Sequence, residues 1–226
     1  MDLDAPPAPR DAAAPFSPTS NEQNPPDLIL QTSDNVRFYV HWAILRFASP
    51  FFNDLSALPA PTGPDANPTH EGKPVVCIPE SSIVADKLLR LCYPQFSDAF
   101  KVADLEGVDG AYEAARKYMV AGVTAQLESF LVEPEILKQH ARRVYAIACH
   151  YGLEDIAKKA AIASLPEPIE DVFEEELPPP EYSSISGMHI WRLQAFHRRC
   201  TRKLESCLYK HRSAVPAHIL ATSDSV

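Results

Sequence analysis

The stretch from residue 27 to residue 52, DLILQTSDNVRFYVHWAILRFASPFF, constrains the fold more than any other part of the chain. Residues 28–30 form a continuous apolar run, which is typical of a strand buried on both faces. After an Asp34-Asn35 turn, Val, Phe and Val alternate with Arg, Tyr and His over 36–41. This period of two predicts a returning strand with one face turned inward. The sequence therefore predicts a β-hairpin.

The apolar period changes at Trp42. Ile44, Leu45 and Ala48 recur at helical spacing, which predicts a short helix directly after the hairpin. Ser49-Pro50 then supplies an N-cap hydroxyl and a proline at the first helical position, so a second helix should begin there. Strands and helices are segregated along the chain, which indicates an α+β fold.

Six residues of this stretch carry a resemblance to the BTB/POZ family. In order they are Asp27, Phe38, His41, Leu45, Ser49 and Phe52. The resemblance covers 27–132 and is greatest to fungal, basidiomycete-type BTB proteins, whose domains carry long proline-containing insertions. It implies a small sheet capped by a helical cluster.

The remainder of 27–132 fits this arrangement. Residues 59–74 hold five prolines and are interpreted as a proline-rich loop insertion. A strand is predicted over 75–78, and Ser81 or Ser82 can cap the helix that follows. Two apolar stripes over 105–132 predict two more helices, with a break near Gly122.

The segments outside 27–132 differ in character. Residues 1–26 lack periodicity and are expected to be a disordered tail. Family members that exchange an N-terminal strand carry an apolar segment ahead of the Asp, and here only Phe16 could begin one. Residues 133–165 predict a helical extension that resembles the start of the BACK segment. An acidic, proline-rich linker (166–184), a long amphipathic basic helix (185–213) and a disordered tail (214–226) complete the chain.

Composition limits the classes of function. The net charge of −9 opposes binding to a phosphate backbone, so no nucleic-acid partner is expected. Five cysteines without a C-x-x-C pair argue against a disulfide framework. The N-terminal sequence is unlike a signal peptide, and the chain contains no apolar run long enough to cross a bilayer. We expect an intracellular protein of the cytoplasm or nucleus with no membrane partner.

Four residues are predicted to form a protein interface: Asp27, Trp42, Phe51 and Phe52. Many BTB domains carry Arg or Lys at the position of Trp42, facing the Asp across a charged groove, so Asp27 lacks that partner here. His41 has no nucleophile assignable beside it and is interpreted as a structural bridge between strand and helix. The same structural interpretation applies to three other residues of the family signature, Phe38, Leu45 and Ser49.

A metal site is the most specific alternative to a protein-interaction function. His197 and Cys200 lie within one helical turn, as do Cys207 and His211, and imidazole with thiolate is zinc chemistry. The two pairs are about 10 Å or more apart along one helix, so one ion cannot bind both. We interpret these residues as a buried helix face and not as a metal site, since cysteine is commonly an inert core residue.

The sequence therefore predicts a non-enzymatic protein–protein interaction module with no catalytic residues, no cofactor and no small-molecule substrate. The resemblance implies self-association or pairing with other BTB chains. It also permits a role as adaptor for a cullin-type ubiquitin ligase or for a transcriptional or scaffolding complex. The alternative is a zinc-binding or thiol-dependent protein that uses the late His and Cys residues.

Overall fold

The computed structural model describes residues 8–20, 24–58, 68–95, 105–166 and 178–214. The chain divides into two compact units, residues 1–131 and 132–226. Most of the predicted C-terminal tail and the first seven residues lie outside the described ranges.

The predicted hairpin is present at the centre of the first unit. Strand β2 (Leu28–Gln31) pairs antiparallel with strand β3 (Val36–Val40), with Leu28 opposite Val40. Asn35 adopts a left-handed backbone conformation with φ of 59°, which asparagine tolerates better than most residues. Tyr39 was predicted to face outward. It is buried instead, because it packs with Ile29 and Val75 on the second face of the sheet.

In the part of the chain that the structure describes, the hairpin is the middle of a five-stranded sheet of order β1 (Arg10–Asp11), β3, β2, β5 (Lys73–Cys77) and β4 (Thr69–His70). Strand β5 (Lys73–Cys77) runs parallel to β2 and antiparallel to β4 (Thr69–His70). The predicted loop insertion over 59–74 is thus too long at its C-terminal end, since residues 69–74 belong to this hairpin. Its remaining part, residues 59–67, lies outside the described residues.

The N-terminal segment differs from the predicted disordered tail. Strand β1 (Arg10–Asp11) pairs parallel with β3 and covers its edge. The Phe16 side chain is buried, with its ring centroid 6.0 Å from that of Phe38 and 5.3 Å from that of Tyr93. One buried aromatic side chain and a covered strand edge hold this segment, although it has no periodic pattern.

Five helices complete the described part of the first unit. They are α1 (Trp42–Ala48), α2 (Pro50–Ala57), α3 (Ser82–Cys92), α4 (Val108–Lys117) and α5 (Ala121–Leu131). The predicted cap of α3 is confirmed, because Ser81 Oγ accepts a hydrogen bond from the backbone N–H of Val84. The α+β class predicted from the sequence is confirmed by this sheet and its helices.

The second unit is helical in its described part. Helices α6 (Pro134–Tyr151) and α7 (Glu154–Ala163) form the predicted pair, and Gly152 ends α6 with a left-handed φ of 71°. A 3-10 helix (Pro180–Ser184) precedes the long helix α8 (Gly187–Ala214). None of the described helices combines the length and the apolar character that crossing a membrane requires.

The last residues of the predicted linker are ordered. Glu181 in the 3-10 helix is buried, and its carboxylate accepts hydrogen bonds from Nε and Nη2 of Arg143 on α6. A bidentate, charge-assisted ion pair therefore fixes this end of the linker, which the sequence predicts to be unfolded. Residues 167–177, which hold most of the linker's acidic side chains, lie outside the described residues.

Candidate protein-interaction surface

Asp27 joins the start of β2 to the start of α1. Its Oδ1 accepts a hydrogen bond of 2.7 Å from the backbone N–H of Trp42, the first residue of α1. Its own backbone N–H donates to the carbonyl of Val40 at 3.1 Å. Asp27 therefore satisfies an otherwise unpaired N–H of the helix and fixes the direction in which α1 leaves the sheet.

His41 is the bridge between strand and helix that the sequence predicts. Its backbone N–H donates to Tyr93 Oη at 2.8 Å, and Nδ1 lies 3.1 Å from the same oxygen. Its Nε2 lies 2.8 Å from the carbonyl oxygen of Asn24, which can only accept, so Nε2 carries the proton. Tyr93 Oη then donates to Nδ1. The backbone N–H and both ring nitrogens of His41 therefore have hydrogen-bond partners. These bonds fit a structural role for His41 and not a role in proton transfer.

Ser49 and Phe52 hold the second helix against the rest of the first unit. Ser49 Oγ accepts from the backbone N–H of Phe52 and donates to the carbonyl of Tyr118. Phe52 is 2% exposed, and its ring centroid lies 5.2 Å from that of Tyr118. The structure thus places Phe52 in the core, and its predicted interface role is corrected, because a buried side chain cannot meet a partner.

The other predicted interface residues remain accessible to different degrees. Asp27 is exposed, whereas Trp42 and Phe51 are half-buried. The Phe51 ring packs on Phe52 and Tyr118 at centroid distances of 5.3 and 5.2 Å, so only part of it faces solvent. Phe47, on the same helix as Trp42, is the most exposed large apolar side chain described.

Phe47 on α1 is 94% exposed and borders an apolar groove. The groove has a volume of about 750 Å³ and is formed by α1, the end of α3 and the start of α5. Its lining residues are Ala43, Ile44, Phe47, Ala48, Leu91, Cys92, Pro94, Val120, Gly122, Val123 and Gln126. Gln126 contributes the one amide side chain of this lining, and most of the other lining residues are apolar. The groove therefore suits the apolar side chains of another protein.

The thiol in this groove is not a reactive one. Burial raises the pKa of Cys92 to about 12, so the group stays protonated at neutral pH. Because the thiolate is the nucleophilic form, this environment opposes thiol chemistry at the groove.

A sequence model of the BTB/POZ domain family matches residues 16–135 of the chain. The chain belongs to the BTB/POZ family. The match begins at residue 16, ahead of the predicted boundary at 27, and so includes the segment that Phe16 anchors. No match was found among curated proteins. BTB domains mediate protein–protein interaction, and this much of the predicted function is confirmed.

Phe47 is not among the interface residues that the sequence predicts for this BTB domain. The signal was available in part, because Phe47 follows Ile44 by three residues and so lies beside it on the surface of α1. An exposed aromatic indicates a binding surface when it extends an apolar patch, as Phe47 does beside Ile44. The groove beside it could not be inferred, since Leu91 and Val123 come from distant parts of the chain.

The two metal candidates lie on α8 in the second unit. His197 is buried, and its Nε2 lies 2.9 Å from Ser164 Oγ, while Cys200 is half-buried. Within the described ranges, no three His, Cys, Asp or Glu side chains are close enough together to hold a metal ion. The position of His197 fits the buried helix face that was the other interpretation.

The buried histidine predicts a pH dependence of stability. Burial and the nearby Arg142 guanidinium lower the pKa of His197 from its ordinary value of 6.5. The folded state thus keeps the imidazole neutral, whereas the unfolded chain binds a proton below about pH 6.5. The contribution of His197 to the free energy of unfolding should be constant above about pH 6.5. Below that pH it should fall, by up to about 1.4 kcal/mol per pH unit.

Urea unfolding at stepwise pH measures this effect. We expect His197→Gln to flatten the decline between about pH 6.5 and pH 5.5, where carboxylates contribute least. His150→Gln is the matched control, because His150 is exposed. Equal slopes for the wild type and His197→Gln would contradict the assignment.

Proposed function

We propose that this BTB domain binds a second BTB chain, and first of all another copy of itself, through the surface formed by Phe47 and the groove of α1, α3 and α5. The observation that carries the proposal is the exposure of Phe47. Placing 94% of a phenylalanine surface in water is unfavourable by about 1.5–3 kcal/mol relative to burial. A partner that buries this ring recovers that free energy.

The groove supplies the complementary half of the contact. In a two-fold symmetric pair, Phe47 of each copy can enter the groove of the other, so one surface makes both contacts. Aromatic anchors that fill apolar pockets carry most of the free energy in such interfaces. Asp27, Trp42 and Phe51 remain proposed contacts at or beside this surface, and Phe52 is not among them.

Phe47→Glu tests the proposal. We expect this change to raise the dissociation constant of the self-associated form by about 100-fold, because it removes an aromatic anchor and places a charge against an apolar groove. Sedimentation velocity over a concentration series measures the constant. The matched control is Leu58→Glu, since Leu58 is also apolar and exposed (66%) but does not line the groove. Equal association of wild type and Phe47→Glu would exclude this surface.

The finer assignments derived from resemblance are part of the same proposal. An adaptor role toward a cullin-type ligase or a transcriptional complex, the fungal-type affiliation and the segment boundaries stay predictions. Binding of purified cullin N-terminal domain to the full chain, measured by calorimetry, tests the first of them. The non-enzymatic character is supported by the apolar groove and by the structural hydrogen bonds of His41.

A further inference from the structure

Two of the serine and threonine residues in the chain follow an arginine by three positions. They are Ser49, which follows Arg46, and Thr201, which follows Arg198. Thr201 also follows Arg199 by two positions, so two consecutive guanidinium groups precede its hydroxyl. Cations at fixed positions before a hydroxyl are a charge pattern by which protein kinases select the residue that they phosphorylate.

The structure separates these two hydroxyls by their accessibility. Ser49 is 1% exposed, and its Oγ donates a hydrogen bond to the carbonyl of Tyr118 in the first unit. Thr201 lies on helix α8 and is exposed, as are Arg198 and Arg199. An enzyme can therefore reach the hydroxyl of Thr201 and the two arginines before it, whereas the hydroxyl of Ser49 is closed to it.

The part of α8 around Thr201 can open locally at low cost. Phosphoryl transfer requires the hydroxyl in line with the γ-phosphate inside the kinase's active site, so the chain beside Thr201 must enter that cleft as an open segment. Every described side chain from residue 201 to residue 209 is exposed. An exposed helix of this length is marginally stable in water, because most helical stability in proteins comes from packing. This part of α8 therefore opens more readily than the part that holds Leu193 and His197, which are 3% and 5% exposed.

We propose that Thr201 is a phosphorylation site for a serine/threonine kinase that selects arginine two and three positions before the hydroxyl. The guanidinium groups of Arg198 and Arg199 bind carboxylates of the kinase and thereby place the Thr201 hydroxyl at the γ-phosphate of MgATP. The Oγ1 of Thr201 forms a bond to the γ-phosphorus, the bond from that phosphorus to the β–γ bridging oxygen breaks, and ADP leaves. The hydroxyl proton passes to the catalytic aspartate of the kinase.

The phosphate changes the charge of this part of the helix. Four of the eight residues from 198 to 205 are cationic, and only Glu205 is acidic. A phosphate adds about two negative charges at neutral pH. Arg198 lies one helical turn before Thr201, so its guanidinium can pair with the phosphate once the helix has closed again. The modified helix therefore presents a phosphate–arginine pair where the unmodified helix presents only cations and a hydroxyl.

Phosphate incorporation into the full chain tests the proposal. The purified chain is incubated with MgATP and the catalytic subunit of cyclic-AMP-dependent protein kinase, a probe that selects arginine at these two positions. Mass spectrometry then maps the phosphorylated residue. We expect most chains to carry a phosphate on Thr201 and none on Ser49. Thr201→Val, which keeps the shape of the side chain and lacks the hydroxyl, should have no phosphate at position 201 and should lose most of the incorporation.

Two charge variants test the selection by arginine. Arg198→Gln/Arg199→Gln should lower kcat/KM for the chain as substrate by at least about 100-fold, because each lost contact between guanidinium and carboxylate costs about tenfold. Arg202→Gln/Lys203→Gln is the matched control, since it removes the same charge on the other side of Thr201. It should keep kcat/KM within about threefold of the wild-type value. All four positions are exposed, so circular dichroism should show an intact fold in both variants.

Three results would overturn the proposal. A full chain that stays unmodified, while a synthetic peptide of residues 195–205 is phosphorylated, would show that α8 does not open at Thr201. Phosphate found on other residues, with Thr201 unmodified, would assign the site elsewhere. Equal losses of kcat/KM in the two charge variants would show a general attraction by positive charge and no recognition of the arginine pair.

Discussion

Replacing Phe52 with alanine is expected to lower the free energy of unfolding by about 3–5 kcal/mol. The ring is 2% exposed and packs against the rings of Phe51 and Tyr118, at centroid distances of 5.3 and 5.2 Å. Its removal leaves a cavity that a close-packed core fills only in part. Urea unfolding followed by circular dichroism measures the loss.

Phe51→Ala is the matched control for this prediction. Phe51 belongs to the same aromatic cluster but is half-buried, so its truncation removes less packing and should cost distinctly less. A contrary outcome would be a Phe52→Ala variant that keeps its stability and loses self-association. That result would return Phe52 to the interface and contradict the core assignment.

Replacing Arg143 with alanine is expected to lower the free energy of unfolding by about 2–3 kcal/mol. The guanidinium makes contacts of 2.6–3.1 Å with the Glu181 carboxylate, whose side chain is only 7% exposed. The truncated variant would leave a buried carboxylate without its cation. We expect a smaller loss of stability than for a fully buried ion pair, because 26% of the Arg143 side chain is exposed.

A double variant separates the pair's net contribution from the cost of breaking it. Arg143→Leu/Glu181→Leu removes both charges, so it should recover most of the stability that Arg143→Ala loses. Chemical denaturation of the full chain gives both values. If the double variant were as unstable as Arg143→Ala, the loss would come from packing and not from an unpaired charge.

Local features of this BTB domain were predictable from the sequence. The period of two over 36–41 predicts β3, Ser49-Pro50 predicts the start of α2, and Gly152 predicts the end of α6. Each signal depends on residues that are neighbours along the chain. Caps, turns and apolar periodicity are fixed at this range, so the hairpin and its two helices could be recognised.

Features that depend on distant residues could not be predicted. The Phe52 ring packs on Tyr118, and the groove beside Phe47 includes Val123; both partners lie far along the chain. The burial of Phe16 depends in the same way on Tyr93. Helical spacing shows that an apolar face exists, but the residues that cover it come from other elements. The predicted interface therefore included Phe52, whose side chain is buried, and the remaining interface residues stay predictions.

Photo-crosslinking from position 47 tests the central claim most directly. Phe47 is replaced by benzoylphenylalanine, and the purified chain is irradiated at a concentration where self-association is present. We predict a covalent dimer of about 50 kDa, twice the chain mass of 25.0 kDa, with attachment mapped by mass spectrometry to groove residues such as Ile44 and Val123. The same analogue at Leu58 should give little dimer. No covalent dimer from position 47, or equal yields from the two positions, would contradict the account.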